Sequence, residues 1–427
     1  MNSAMKTTKI INKTNCIIKN QRQMRTIRLL LFFLPLFSSM SANAENVKIG
    51  SANYDVDRVN KTAILRKWGN GGEDLVGYVD SNLPDSYERK LVIPESILVD
   101  GENYKVVAIA NYACCDHLFA TIITIPNGVT TIGSFAFYGC SSLKTLSIPN
   151  SVTKIGAKAF SGCENLKSIE LPDGISEIPM CAFERCYALE NVNIPKSAKI
   201  IGENSFYSCV SLSSITISNS VIKIEESAFA GCTALKSITF NNGLELIGKN
   251  AFQGCEQLTT VRLPSTLAAI RAQAFFDCKE LNEVILPDSI YVIDEGAFSE
   301  CPNLSEIIIP NTVKVIGRMA FSGCSNLKEI TIPSGLLDGV LAPCVFQRCT
   351  SLEKVVIPSS IKRIYGGNFD NCQKLKDVFC YAEEPGDFFN RAFEDIRYGE
   401  VYLHVKNVKK YKKDYNAKRK FKIVPME

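Results

Sequence analysis

Residues 143–165 read LKTLSIPNSVTKIGAKAFSGCEN, and residues 304–326 read LSEIIIPNTVKVIGRMAFSGCSN. Both phrases are 23 residues long, and both place Leu, Ile-Pro, Val, Ile-Gly, Ala-Phe and Cys at the same positions. A unit of this size that recurs along a chain is the coil of a solenoid, because one coil cannot bury its own apolar face and must stack on another.

The register is fixed by cysteine. Cys140, Cys163, Cys186, Cys209, Cys232, Cys255, Cys278, Cys301 and Cys324 are each 23 residues apart, Cys349 follows after 25 and Cys372 after 23 more. Three residues before each stands a phenylalanine, from Phe137 to Phe369. The first unit is degenerate, with Cys114 at the Phe position and His117 at the Cys position.

Within a unit, Leu146 and Ile148 alternate with Thr145 and Ser147, the period of a half-buried strand. Pro149 cannot donate to a ladder and ends it. Val152 and Ile155 face inward on a second short extended piece, Gly156 permits a turn, and Ala159-Phe160 packs inward from a tight helical turn. Strands stacked in parallel at about 4.8 Å would make about twelve coils roughly 55 Å long. Residues 334–343, SGLLDGVLAP, depart from the phrase by two extra residues, which a loop on the coil edge absorbs.

The ends differ from the repeat. Residues 45–104 carry alternating stretches and turn signals at Gly69-Asn70-Gly71-Gly72 and Asp100-Gly101, the pattern of short strands and hairpins that cap an exposed first coil. Beyond the period, VYLHV at 401–405 is a last strand, Lys406–Lys420 is strongly basic with the pattern of a short helix, and FKIV closes at 421–424. The lysine run reads as a solvated cap surface, with a patch for an anionic glycan or cell surface as the alternative.

Hydrophobic residues make up 46% of the 427-residue chain and charged ones 22%, enough apolar surface for a continuous core. The formal charge of +4 includes seven Lys and Arg residues in positions 1–44, which hold no acid. Residues 45–427 therefore carry −3, a balance that argues against nucleic-acid binding. Arg25 and Arg28 precede the apolar run Leu29–Phe37 and then Ala42-Asn43-Ala44, the layout of a cleavable signal peptide. The run is too short to span a bilayer. The expectation is an exported protein with no membrane span in the mature chain, placed at the cell surface, in the periplasm or in the medium. The divisions expected are a leader at 1–44, a β cap at 45–104, the repeat at 105–380 and a C-terminal cap at 381–427.

The phrase LxxIxIPxSVxxIGxxAFxxCxx resembles the BspA-like (Treponema pallidum type) leucine-rich repeat of bacterial surface proteins, over roughly residues 85–427. The closing VYLHVKNVKKYKKDYNAKRKFKIV is also similar to that family's closing segment. The resemblance implies a right-handed solenoid, α/β by class but mainly β, exported or surface-exposed. It also implies adhesion to host matrix proteins or other cells, and it brings no catalytic residues. Ser218 and Asn241 replace the strand-ending proline and Arg271 and Asp294 replace glycine, departures that bear on local turn shape.

No HExxH, GxSxG, P-loop or GxGxxG occurs, and only His117 and His404 are available as imidazoles. His117 beside the Cys140 rung is the one Cys–His candidate, against a plain role as a core or capping histidine. No C-x₂-C pair offers a zinc site. No enzyme, cofactor or metal is expected. The sixteen cysteines of residues 45–427 are expected as buried thiols, because rungs about 4.8 Å apart hold stacked side chains parallel, whereas a disulfide needs Cβ atoms nearer 3.8 Å and turned together. Cys181–Cys186 and Cys344–Cys349 are the better candidates for a bond.

What remains free is the outward side of the LxxIxI strand. In the early coils it carries hydroxyls and amides, such as Thr145, Ser147, Asn191, Asn193, Ser214 and Thr216. From residue 283 it changes. Glu283, Glu306 and Glu329 make an acidic column that Lys354 and Asp377 extend, and Ile285, Ile308, Thr331, Val356 and Phe379 make an apolar column beside it. In-register acids repel, so the column is destabilising unless a cation or basic partner occupies it. These ten residues are the candidate partner-binding face, for host matrix or bacterial surface proteins. A glycan partner is the alternative, favoured by the hydroxyls and disfavoured by the shortage of aromatic platforms.

Overall fold

The computed structural model describes residues 44–68, 89–383, 391–396 and 400–426. Residues 1–43 of the leader expected over 1–44, and the turn at Gly69–Gly72, lie outside the described residues. The chain is a mainly β solenoid of about 13 turns of roughly 23 residues.

Short strands from successive coils build two parallel stacks. On the first side, Lys90–Val92, Ile122–Thr124, Thr145–Ser147, Ser168–Ile169 and Asn191–Val192 pair in order, and further along so do Ser214–Thr216, Ser237–Thr239, Thr260–Arg262 and Glu283–Ile285. The registers step by one repeat, as in Ser214↔Ser237 and Thr216↔Thr239. On the second side two-residue strands stack in the same way, Lys154–Ile155 on Thr131–Ile132 and Glu177–Ile178 on Ile200–Ile201. Side chains alternate as the period required: Leu146 is buried between exposed Thr145 and Ser147.

The third side departs from expectation. In place of a helical turn it is a chain of β-turns joined to the next coil. Ser161 N donates to Lys158 O (3.3 Å) and Cys163 N to Phe160 O (3.2 Å), closing turns within the coil. The alternate donors Lys158 N, Phe160 N and Gly162 N reach Met180 O, Ala182 O and Glu184 O of the following coil at 3.0, 3.0 and 2.8 Å. This alternation needs left-handed residues four apart, Lys158 (φ 57°) and Gly162 (φ 77°). An α-helix supplies neither the reach nor the sign of φ.

Behind that side runs the core. The rings of Phe137 through Phe369 stack face to face at centroid spacings from 5.1 to 6.0 Å, nearly parallel. Beside them each ladder cysteine from Cys163 to Cys372 donates its thiol to the Phe carbonyl one coil back, as in Cys186 Sγ to Phe160 O (3.2 Å) and Cys255 Sγ to Phe229 O (3.4 Å). All sixteen cysteines of the described residues are free thiols. The two pairs considered for bonding are therefore unbonded, since Cys186 and Cys349 turn into the ladder and Cys344 reaches Gly366 O instead. Burial pushes the thiols of Cys186 and Cys232 up to about 12.

At the N-terminal end Glu45–Ile49, Ala52–Asp57 and Thr62–Lys67 form an antiparallel meander. It joins the second stack through Glu102–Ile109. The expected hairpin is present: Ser96–Val99 pairs antiparallel with Glu102–Ile109 across Asp100 (φ 53°) and Gly101 (φ 82°), the two positive φ values of a type I′ turn. Lys90–Val92 already belongs to the first stack, so the parallel ladder begins inside the segment read as the cap.

At the other end Val401–Val405 and Phe421–Pro425 extend the first stack, both in parallel. Between them lie two short helices, α1 (Val408–Tyr411) and α2 (Tyr415–Lys420), where one was expected. Asn407 Oδ1 accepts from Lys410 N and Asp414 Oδ1 from Ala417 N, so each helix starts on a side-chain cap. Tyr411 is fully buried and donates to Ala382 O (2.9 Å), anchoring this cap to the last coil.

The substituted turns keep their bonds. Ser218 Oγ donates to Pro195 O (3.1 Å) and Asn241 Nδ2 to Ile217 O (2.7 Å). Arg271 and Asp294, at the glycine register, still donate their backbone N–H groups to Ile247 O and Ile270 O and form an ion pair at 3.6 Å. The two extra residues near 334–343 form a one-turn 3₁₀ segment, Leu337–Gly339, with Asp338 at φ 55°.

Candidate functional site

The ten candidate residues lie in sequential rungs of the first stack, in two columns. The backbone pairings Thr260↔Glu283, Glu329↔Lys354 and Lys354↔Asp377 set one, and Arg262↔Ile285, Thr331↔Val356 and Val356↔Phe379 set the other. The columns run on into the cap, where Asp377 meets Tyr402 and Phe379 meets His404.

The acids are not equivalent. Glu283 is ion-paired with Arg262 (3.0 Å) and Glu329 with Lys354 (3.3 Å), so two members of the acidic column are neutralised by basic residues in adjacent rungs. Asp377 Oδ1 lies 2.7 Å from His404 Nε2. Glu306 is exposed and forms no ion pair among the described residues. Among the three glutamates of the column the expected repulsion therefore reduces to one unbalanced carboxylate, Glu306.

The apolar column divides in a similar way. Val356 and Phe379 are half-buried, Thr331 is exposed, Ile285 is 40% exposed and Ile308 is 86% exposed. Phe379 is enclosed on both ring faces, with the His404 ring stacked at 4.2 Å and 8° on one and Lys354 Nζ at 5.8 Å from its centroid on the other. Its edge, not its face, meets solvent.

The backbone singles out the same rung. Strands are present at Glu283–Ile285 and Glu329–Thr331, and none is formed in the coil between them, residues 304–310. Ile307 and Ile309 there are each 7% exposed, so the coil still feeds the core while its outer ladder is open. The unpaired acid, the most exposed large apolar side chain and the gap in the sheet coincide at Glu306–Ile308. The other interruption of this stack follows Asn191–Val192, where the Asn193 side chain turns back to the preceding coil, accepting from Leu171 N (2.7 Å) and donating to Leu171 O (2.8 Å).

Two members of the face were missed in sequence. Tyr402 and His404 alternate with buried Val401, Leu403 and Val405 in VYLHV, and that alternation was the available signal. The Cys–His candidate does not assemble. His117 is buried and its Nδ1 accepts from Ala120 N (3.3 Å), while the Cys140 thiol donates to Cys114 O (3.1 Å) and burial pushes it up to about 12. Among the described residues no cluster of three or more His, Cys, Asp or Glu side chains could hold a metal ion, and no helix is long and apolar enough to cross a membrane.

The family described as the BspA type leucine rich repeat region matches in six copies, covering residues 107–235, 199–327 and 292–415. No curated protein matches. A leucine-rich repeat protein from Bacteroides ovatus ATCC 8483 is 24% identical over 89% of this chain and 100% of its own, with a TM-score of 0.54, and shares the fold. A leucine rich cell surface protein from Faecalibacterium prausnitzii A2-165 is 28% identical over 80% of this chain and 95% of its own, with a TM-score of 0.49. The pneumococcal vaccine antigen PcpA is 20% identical over 90% of this chain and 99% of its own, with a TM-score of 0.48.

Proposed function

The chain belongs to the BspA-type leucine rich repeat family, and on that premise we propose that it is an exported, non-enzymatic adhesion scaffold that binds proteins through the outer side of its first stack, centred on Glu306 and Ile308. The observation that supports this reading most is the coincidence at one rung of an unbalanced carboxylate, an 86% exposed isoleucine and an open ladder. Water tolerates each alone. Together they match a partner that brings a basic residue beside an apolar one, which would pair the charge and cover the isoleucine.

The neighbouring rungs support the same location. Ile285 and Thr331 flank Ile308, and the ion pairs Arg262–Glu283 and Lys354–Glu329 border the patch as a polar rim. The glycan alternative draws less support. Of the aromatic rings on the face, Phe379 is half-buried and stacked on His404, which leaves Tyr402, with Lys422 over its ring, as the exposed platform for a sugar.

The test is a binding screen of the full chain against extracellular-matrix proteins and bacterial cells, repeated with Glu306→Lys and Ile308→Asp. Both variants are expected to bind at least about tenfold more weakly at unchanged thermal stability. Binding that survives both changes would remove this face from the reading.

A further inference from the structure

The C-terminal cap concentrates positive charge to a degree found nowhere else in residues 45–427. Residues 400–427 hold nine Lys and Arg against three Asp and Glu, a surplus of six. Since residues 45–427 sum to −3, residues 45–399 carry −9. The molecule is thus acidic along its length and basic at one end.

The structure shows that this charge is presented outward. Lys406, Lys409, Lys412, Lys413, Lys418 and Lys422 are exposed, and none forms an ion pair among the described residues. The acid within the run, Asp414, is engaged as the cap of α2 through Ala417 N (2.8 Å). Tyr411, Ala417, Lys420 and Phe421 are the buried positions among the described side chains of this segment, and they fix it on the last coil while the six lysines named above face solvent. Lys406 and Lys422 lie over the rings of Tyr381 (5.9 Å) and Tyr402 (5.3 Å), which holds them at the border of the patch.

We propose that this cap is a binding site for a linear polyanionic polysaccharide bearing sulfate groups. Closely spaced flexible ammonium groups with no local counter-charge match a repeating anion, and each contact releases condensed counter-ions from a polymer. A single small anion would call for a converging pocket, and the lysines here radiate from two short helices. A bilayer is disfavoured because among the described side chains of residues 403–426 no large apolar one is exposed to enter it. The proposal stands apart from the Glu306–Ile308 face, which is acidic and built from other coils.

A fluorescent heparin oligosaccharide, the same length of unsulfated backbone, and vesicles containing phosphatidylglycerol are titrated into the full chain at about 0.15 M salt. Binding is expected to the sulfated probe alone. The variant Lys409→Gln/Lys412→Gln/Lys413→Gln should lose about tenfold in affinity and show a shallower dependence on salt. A control, Lys154→Gln/Lys167→Gln/Lys236→Gln, removes as much charge from the repeat and should leave the affinity within about twofold. Circular dichroism and thermal unfolding establish that both variants remain folded. No binding to the sulfated probe, equal loss in the control, equal binding of the unsulfated chain, or binding to the vesicles alone each overturns the proposal.

Discussion

Two rungs of the same stack, Ser237–Thr239 and Glu306–Ile308, occupy the same register of the same repeat and differ in almost everything that faces outward. Ser237 and Thr239 pair with Ser214 and Thr216 on one side, and Ser237 with Thr260 on the other, in a closed ladder. The coil carrying Glu306 and Ile308 forms no strand. The inner residues are nonetheless alike, with Ile238 8% exposed and Ile307 7% exposed, and the Phe and Cys stacks pass beneath both without a break. Coil packing therefore does not depend on the outer ladder of any one rung. The repeat separates what holds the body together from what it shows, and the second can vary without cost to the first.

The sharpest way to break that comparison is to cut each part in turn. Phe252 is fully buried between rings at 5.2 and 5.3 Å, so Phe252→Ala should lower stability to urea by about 3–5 kcal/mol. Ile308→Thr should change it by less than about 0.5 kcal/mol. Equal losses would mean that the outer rung carries structure after all.

A smaller effect distinguishes the thiol column. Burial raises the folded-state values of Cys140, Cys186, Cys232 and Cys372 to about 12 from an ordinary 9.0. The neutral thiol is the form the fold prefers, so this contribution is complete below about pH 9 and is lost as pH rises from there toward 12, while the unfolded chain ionises. The urea midpoint should fall over that window, and Cys232→Ala should flatten the fall. A midpoint indifferent to pH there would contradict the burial of the column.

The smallest effect concerns the third side. Ser227 is left-handed at φ 54°, and the same register holds glycine at Gly296 and Gly367. Ser227→Gly should raise stability by about 0.5 kcal/mol by removing the Cβ conflict. A loss would show that the neighbouring coil compensates for it.

The coil, its strand and its inward residues were legible because hydrophobic periodicity reports burial directly. The third side was not. Residues as different as Phe135, Lys158, Asn204 and Met319 take the left-handed conformation there, so the inter-coil hydrogen bonds, and not the residue types, impose it. For the candidate face, register alone located Glu306 and Ile308, since which positions point outward follows from alternation. That Glu283 and Glu329 are neutralised while Glu306 is not depends on where Arg262 and Lys354 direct their side chains, and that is decided in three dimensions. Tyr402 and His404 were overlooked because the period had already faded before their strand.

The thiol ladder also bears on how the chain reaches its fold. Ladder cysteines recur every 23 residues, so an unfolded chain offers many loops of similar length for closure by oxidation. In the stack every one of these sulfurs is instead donated to a carbonyl of the preceding coil, and no two are joined. A bond made early would tie two coils in an arrangement the stack does not contain. In an oxidising medium productive folding is thus a race, with coil-by-coil stacking against thiol oxidation. Contacts that reach only to the next coil favour the first runner, because each thiol is sequestered as soon as its own neighbour docks.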